Sequence, residues 1–225
     1  MFAFDLRGHG KSEGRRGDAP SYAVLLDDID LLIQKSRSKF PDLPLFLYGH
    51  SMGGNLVLNY VMRRTPTLTG VVVSAPGLKP ASVGPPWKIP AARIFRFILP
   101  ALQVTNEINP KDLSRDPEVV RQYQADPLVH NRISLRLGVS LIDAGVWAYQ
   151  RAAELHIPLL MLQAGADRVV DVETNLAFAQ KAGHLCDLRL WPGLYHELHN
   201  EPEKDHVLAQ ITAWLDSPCQ ANKGK

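Results

Sequence analysis

Short apolar runs alternate along the chain with longer stretches whose apolar positions recur every three or four residues. Phe2–Asp5, Leu45–Gly49, Gly70–Ser74, Leu159–Gln163 and Asp187–Trp191 read as strands, being short, apolar and bounded by turn-forming or polar residues. Tyr22–Ser38 carries Val24, Leu25, Ile29, Leu32 and Ile33 at near-helical spacing, and Asn55–Arg64 and Glu173–Ala182 read as two further helices. A last helix is expected from about Glu203 to Leu215, entered through Pro202. Strands alternating with helices predict an α/β chain whose mostly parallel sheet is covered by helices. The alternation stops between Pro76 and Glu154. That stretch opens with Pro76, Pro80, Pro85, Pro86 and Pro90 before an apolar helical segment, and it reads as an insertion into a core formed by 1–75 and 155–217. The end of the chain, 218–225, reads as a polar tail.

One of the strand-to-helix junctions carries chemistry. Gly49-His50-Ser51-Met52-Gly53 follows the strand ending in Leu47-Tyr48 and precedes a helix, which is the context a G-x-S-x-G nucleophile turn requires. Glycines on either side of the serine let backbone segments approach around a strained turn and lift the hydroxyl out of the sheet at a helix N-terminus. The blander alternative is a glycine-rich turn with a helix-capping serine. A serine hydroxyl is a weak nucleophile, so it needs a base, and the base needs an acid to fix its tautomer and stabilise its charge.

On such a sheet the order is serine, acid, histidine, each in a loop at a strand's carboxyl end. Asp167 follows the strand Leu159–Gln163 and is the expected acid; Asp171 is the alternative, although its place before Val172-Glu173-Thr174 suits a helix N-cap. His196 follows the strand Asp187–Trp191 and is the expected base, with His199 its rival three residues on. Of the eight histidines, His9, His130, His156, His184 and His206 fall outside this order, and His50 sits inside the serine motif.

Composition narrows the picture mainly by exclusion. The 225 residues are 45% hydrophobic and 21% charged, typical of a globular domain. A formal net charge of +2 gives no field that would argue for nucleic acid as a partner. Cys186 and Cys219 are the only cysteines, so a disulfide framework is not expected; no leader pattern or run of roughly 20 apolar residues appears, and the expected location is cytoplasmic. Gly10-Lys11-Ser12 has the ending of a phosphate-binding loop, but the first glycine of that motif would fall on Asp5. No histidine or cysteine spacing suggests a metal, and no cofactor is expected.

The chain resembles the monoacylglycerol lipase and lysophospholipase-like branch of the α/β-hydrolases, of the serine aminopeptidase S33 type. The resemblance rests on Asp5-Leu6-Arg7-Gly8-His9-Gly10-Lys11-Ser12-Glu13-Gly14, Gly49-His50-Ser51-Met52-Gly53-Gly54, Asp126-Pro127-Leu128, Gln163-Ala164-Gly165-Ala166-Asp167-Arg168 and Tyr195-His196-Glu197-Leu198-His199-Asn200-Glu201. It implies an α/β-hydrolase fold and a serine carboxylic-ester hydrolase with Ser51 as nucleophile, Asp167 as acid and His196, rather than His199, as base. The backbone amide of Met52 becomes one oxyanion donor, and 76–154 becomes a helical cap.

Within that cap Ala91, Ala92, Ile94, Phe95, Ile98 and Leu99 share an apolar face, with Arg93 and Arg96 turned elsewhere. Phe95, Ile98 and Leu99 are thus candidates to line an acyl-chain tunnel, with a lipid or small ester as substrate. The segment Ile89–Val104 is a candidate for weak, reversible membrane contact. In the family's plan the strand ending at Asp5 is the fourth. The resemblance therefore also implies an N-terminally truncated chain without the first three strands or the second oxyanion donor, leaving Phe2–Asp5 and Leu45–Gly49 paired directly or with open edges.

Overall fold

A computed structural model describes residues 1–82 and 84–221, the side chains of 218–221 excepted. Four parallel strands form the main sheet: β1 (Phe46–His50), β2 (Gly70–Ser74), β5 (Leu159–Ala164) and β6 (Cys186–Trp191), side by side in that order. Every residue of β2 and β5 is buried. These are the near-continuous apolar runs that a parallel strand needs when both its faces are covered. Alternate residues then divide between two cores. Val71, Val73, Leu159 and Met161 face a large cluster, while Val72, Leu160 and Leu162 face a smaller one.

The large cluster is closed by α1 (Tyr22–Lys39), α2 (Met52–Arg64), α5 (Leu135–Gln150) and α6 (Val172–Ala182). On the other face α7 (Lys204–Ala221) supplies Val207, Ile211 and Trp214. Ser21 caps α1 by accepting from the Val24 amide at 3.3 Å; of the expected stripe Leu25, Ile29 and Ile33 are buried and Val24 and Leu32 half-buried, and Leu26, outside that stripe, is buried as well. The last helix runs past the expected Leu215 into the start of the expected polar tail, whose residues 222–225 lie outside the described ones.

Between β2 and β5 lie α3 (Lys88–Ile98), β3 (Gln103–Thr105), α4 (Pro117–Ala125), β4 (Arg132–Ser134) and α5; β3 pairs antiparallel with β4. Pro117 opens α4 behind the capping Asp116. The α2 helix holds α5 through buried amides: Asn55 donates to the Leu141 carbonyl at 3.1 Å and Asn59 to the Ala144 carbonyl at 3.2 Å.

Phe2–Asp5 is not a strand. A strand is held by its neighbours' backbone groups, and this run joins no ladder among the described residues. It is held instead at its end: the Lys11 amide donates to the Asp5 carboxylate at 2.8 Å, and the Ser12 hydroxyl to the Asp5 carbonyl at 2.6 Å. Of the two expected arrangements the open edge is the one found, since among the described residues β1 pairs only with β2. The same contacts dispose of the phosphate-loop pattern at Gly10-Lys11-Ser12, because a carboxylate from the chain itself occupies the turn.

At Gly145 in α5, a Cβ atom would lie 2.0 Å from the Leu78 carbonyl oxygen. Glycine in a helix interior is ordinarily improved by alanine. Here the close backbone approach reverses that sign, and Gly145→Ala should lower stability by about 1–3 kcal/mol through overpacking. Urea unfolding of the two proteins measures the difference; a stabilised variant would show that α5 does not approach Leu78 this closely.

Candidate active site

Ser51 lies between β1 and α2 with φ 50° and ψ −116°, a strained conformation for a residue with a side chain. Backbone contacts hold it there. Its amide donates to the Ser74 carbonyl at 3.0 Å, and its own carbonyl accepts from Asn55 at 3.0 Å and Gly77 at 2.9 Å. A Cβ on Gly49 would meet the Gly53 carbonyl oxygen at 2.3 Å, and one on Gly54 would meet Pro76 Cα at 2.9 Å. Gly53 has nothing within 4 Å of that position. The close approaches expected at both flanking glycines are therefore made at Gly49 and Gly54. At the first position of α2, the Met52 amide has no acceptor one turn back in the helix, leaving a donor beside Ser51.

His196 Nε2 lies 2.8 Å from Ser51 Oγ, and His196 Nδ1 lies 2.8 Å from Asp167 Oδ2. The carboxylate can only accept, so Nδ1 carries the proton and Nε2 is left to accept from the serine hydroxyl. His196 is 2% exposed, and the Asp167 side chain is fully buried. The second oxygen of Asp167 accepts from the Val169 and Val170 amides at 2.8 and 3.0 Å. Both carboxylate oxygens are thus bonded, as a buried acid requires.

The two alternatives have other partners. Asp171 caps α6, accepting from the Thr174 amide at 2.8 Å and hydroxyl at 2.5 Å, with Lys79 at 3.3 Å. The Thr174 hydroxyl bond, helped by the Thr174 amide and Lys79, holds its carboxyl below the usual range. His199 Nδ1 lies 3.4 Å from the Tyr48 hydroxyl. The elements therefore bring Ser51, Asp167 and His196 together and leave Asp171 and His199 beside them. Phe95 and Ile98, at 49% and 68% exposure, lie on an open face of α3, which buries none of its residues, and Leu99, at 48%, follows at its C-terminal cap. Arg93 and Arg96 turn to Asp143 on α5, at 2.7 and 2.9 Å.

One contributor escaped the sequence reading. The His50 ring centre lies 4.7 Å from that of His196, tilted by 52°, and 4.8 Å from that of His199, edge-on at 81°, with Nδ1 donating to the Ser74 carbonyl at 3.1 Å. Position two of G-x-S-x-G carries no constraint in the motif, so only the fold reveals this packing. Burial, then the neighbouring His196 and His199, hold the His50 pKa well below its ordinary value. The sign of the pH effect follows. Near pH 6 the unfolded chain binds a proton at residue 50 that the folded chain refuses, so stability falls as pH drops below about 6.5, by about 1.4 kcal/mol per pH unit at most for this group. His50→Gln, which can still donate to Ser74, should flatten the slope of urea-unfolding free energy between pH 7.5 and 5.5. An unchanged slope would assign the effect to other groups.

Residues 1–203 match the family model described as serine aminopeptidase, S33. The chain is 35% identical over 219 residues to a monoacylglycerol lipase of Mycolicibacterium smegmatis, covering 96% of this chain and 78% of that protein. It is also 35% identical over 217 residues to the phospholipase YtpA of Bacillus subtilis, covering 94% and 82%. Among solved structures, the monoacylglycerol lipase of Paleococcus ferrophilus superimposes with a TM-score of 0.88 at 34% identity, over 96% of this chain and 82% of that one. The open four-stranded sheet, the strained serine turn and these matches lead to one conclusion: the chain belongs to the serine aminopeptidase S33 family and is a serine ester hydrolase of the α/β-hydrolase fold.

Proposed function

We propose that this protein hydrolyses carboxylic esters of monoacylglycerol- or lysophospholipid-like lipids through an acyl-enzyme on Ser51. The observation that carries the reading is the unbroken chain of two 2.8 Å contacts from Ser51 through His196 to Asp167. Ser51 Oγ attacks the ester carbonyl while His196 Nε2 takes its proton; the imidazolium is stabilised by Asp167 and returns the proton to the departing alcohol. Water then repeats the sequence on the acyl-enzyme and releases the fatty acid. The Met52 amide donates to the oxyanion in both steps.

Of residues 76–154, the part ahead of α5 forms the cap over this site, while α5 itself packs into the large core cluster with α1 and α2. The relatives named as a monoacylglycerol lipase and a phospholipase support a lipid substrate over a peptide. Ser51→Ala should abolish turnover of a p-nitrophenyl ester and labelling by a fluorophosphonate, without loss of the cooperative unfolding transition. Retained activity would refute Ser51 as nucleophile, and a wild-type chain that stays unlabelled would mark a non-catalytic scaffold. A series of esters should be turned over faster with medium and long acyl chains than with acetate; the opposite order would indicate a small-ester hydrolase.

The cap also supplies the peripheral membrane contact. Trp87, Ile94, Phe97 and Ile98 are 69%, 64%, 77% and 68% exposed, far more apolar surface than one helix ordinarily leaves open. Because Arg93 and Arg96 are engaged by Asp143, apolar burial rather than attraction to anionic lipid drives the association. Flotation with neutral phosphatidylcholine vesicles should recover the protein, and Phe97→Asp with Ile98→Asp should leave it at the bottom of the gradient. No flotation of the wild type with neutral or anionic vesicles would remove the membrane contact.

A further inference from the structure

The Asn200-Glu201 pair that closes the histidine motif takes no part in the chemistry above, yet Glu201 is a carboxylate with a fully buried side chain. Its partner comes from the other side of the molecule's middle segment. The Arg115 amide donates to Glu201 Oε1 at 2.6 Å, Arg115 Nε donates to Glu201 Oε2, and the same guanidinium bonds Glu203. The contact extends along both chains. The Glu197 amide donates to the Leu113 carbonyl at 2.8 Å, and the Ser114 hydroxyl to the Asn200 carbonyl at 3.2 Å. Arg168, next to Asp167, reaches Asp112 at 3.3 Å and lies 4.6 Å over the Tyr195 ring.

A short strip, 112–115, is therefore bonded to Glu197, Asn200 and Glu201 in the loop after His196 and to Arg168, the residue following Asp167, which in turn lies over Tyr195. Among the described residues the imidazole's own hydrogen bonds run only to Asp167 and Ser51, so where it sits depends on the loop that carries it. A buried carboxylate stripped of its cation is costly, and Glu201 accordingly fixes Arg115 with little freedom. We propose that Arg115 is a positioning residue: through Glu201 it locks the 197–201 loop against the segment between β2 and β5, and so sets the distance from His196 to Ser51. The proposal rests on the reading of Ser51, His196 and Asp167 given above. Displacements of about 1 Å at a reacting pair cost on the order of a hundredfold in rate, so a loose loop should be seen in turnover before it is seen in binding.

The test compares the full chain with Arg115→Ala and, as a matched surface ion-pair control, Arg121→Ala, which breaks only the exposed pair with Glu118. The readouts are kcat and KM on a p-nitrophenyl ester, the rate of fluorophosphonate labelling, and the low-field proton resonance of the His196–Asp167 hydrogen bond. Folded Arg115→Ala should lose at least about tenfold in kcat and in labelling rate with KM little changed, and its low-field resonance should broaden or vanish. A merely structural ion pair would lower the melting temperature and leave both the kcat of folded molecules and that resonance intact, which would overturn the proposal. If Arg115→Ala does not fold, Glu201→Gln, which leaves no unpaired buried carboxylate, carries the test with the same expected loss; wild-type kcat in that variant overturns it. A wild type that neither labels at Ser51 nor shows the resonance defeats the triad reading and this proposal with it, whereas a labelled wild type with an unaffected Arg115→Ala defeats this proposal alone.

Discussion

The positive φ at Ser51 is the constraint from which the rest of the site follows. A residue with a side chain resists that conformation by on the order of 1–3 kcal/mol, and it persists only where surrounding structure leaves no alternative. The sheet supplies that surrounding. Parallel pairing of β1 with β2 sets His50 opposite Ser74, and the Ser74 carbonyl just beyond the ladder takes the Ser51 amide. The peptide after Ser51 is then anchored from two sides, by Asn55 in the helix that follows and by Gly77 in the turn after β2. Because Gly49 and Gly54 permit backbone contacts that any Cβ would block, the turn can be tight enough to aim the hydroxyl at His196.

The electrostatics follow from how little water the site admits. Asp167 and His196 are both buried, and each polar atom of the pair has a protein partner. A neutral His50 beside them matters for the same reason. Charged, it would stand 4.7 Å from the imidazole that the proposed mechanism makes positive, and like charges at that distance in a low-dielectric site oppose one another strongly. Burial removes this competition by keeping the second ring uncharged. The Ser74 carbonyl orients that ring, so the strand end that anchors the Ser51 backbone also fixes the neighbour of His196.

Most of the sheet could be read from the sequence because β2 and β5 are buried on both faces and their apolar runs have no other explanation. Gly70–Ser74 is found with the expected bounds, and Leu45–Gly49, Leu159–Gln163 and Asp187–Trp191 shift by one residue at one or both ends. Phe2–Asp5 failed because apolarity identifies a segment able to be a strand, whereas being one requires a hydrogen-bonding neighbour. The region between β2 and β5 was legible only as a break in rhythm. Its β3–β4 pair is short and half exposed, and α5 carries apolar residues on so many sides that no single stripe stands out. Periodicity did group Ile94, Phe95, Ile98 and Leu99 on one side of α3. It could not say that this side faces outward, because a stripe records which residues share a face and nothing about what meets it.

The three residues of the hydrogen-bonded chain were legible for a different reason: each sits in a loop at a strand's carboxyl end, and strand order converts sequence order into spatial proximity. What linear order cannot convey is how those loops are held. Asp167 is braced by amides two and three residues on, a local device that the Asp-x-Val-Val spacing hints at. His196 has no such local brace on its ring, and its loop is fastened at Leu113, Ser114 and Arg115, more than eighty residues earlier in the chain. Asp167 and His196 are thus held in opposite ways, one by its own turn and one by a distant segment. The segment between β2 and β5 is for that reason part of the support of the His196 loop, and on the proposed mechanism changes in it reach the chemistry without touching a substrate.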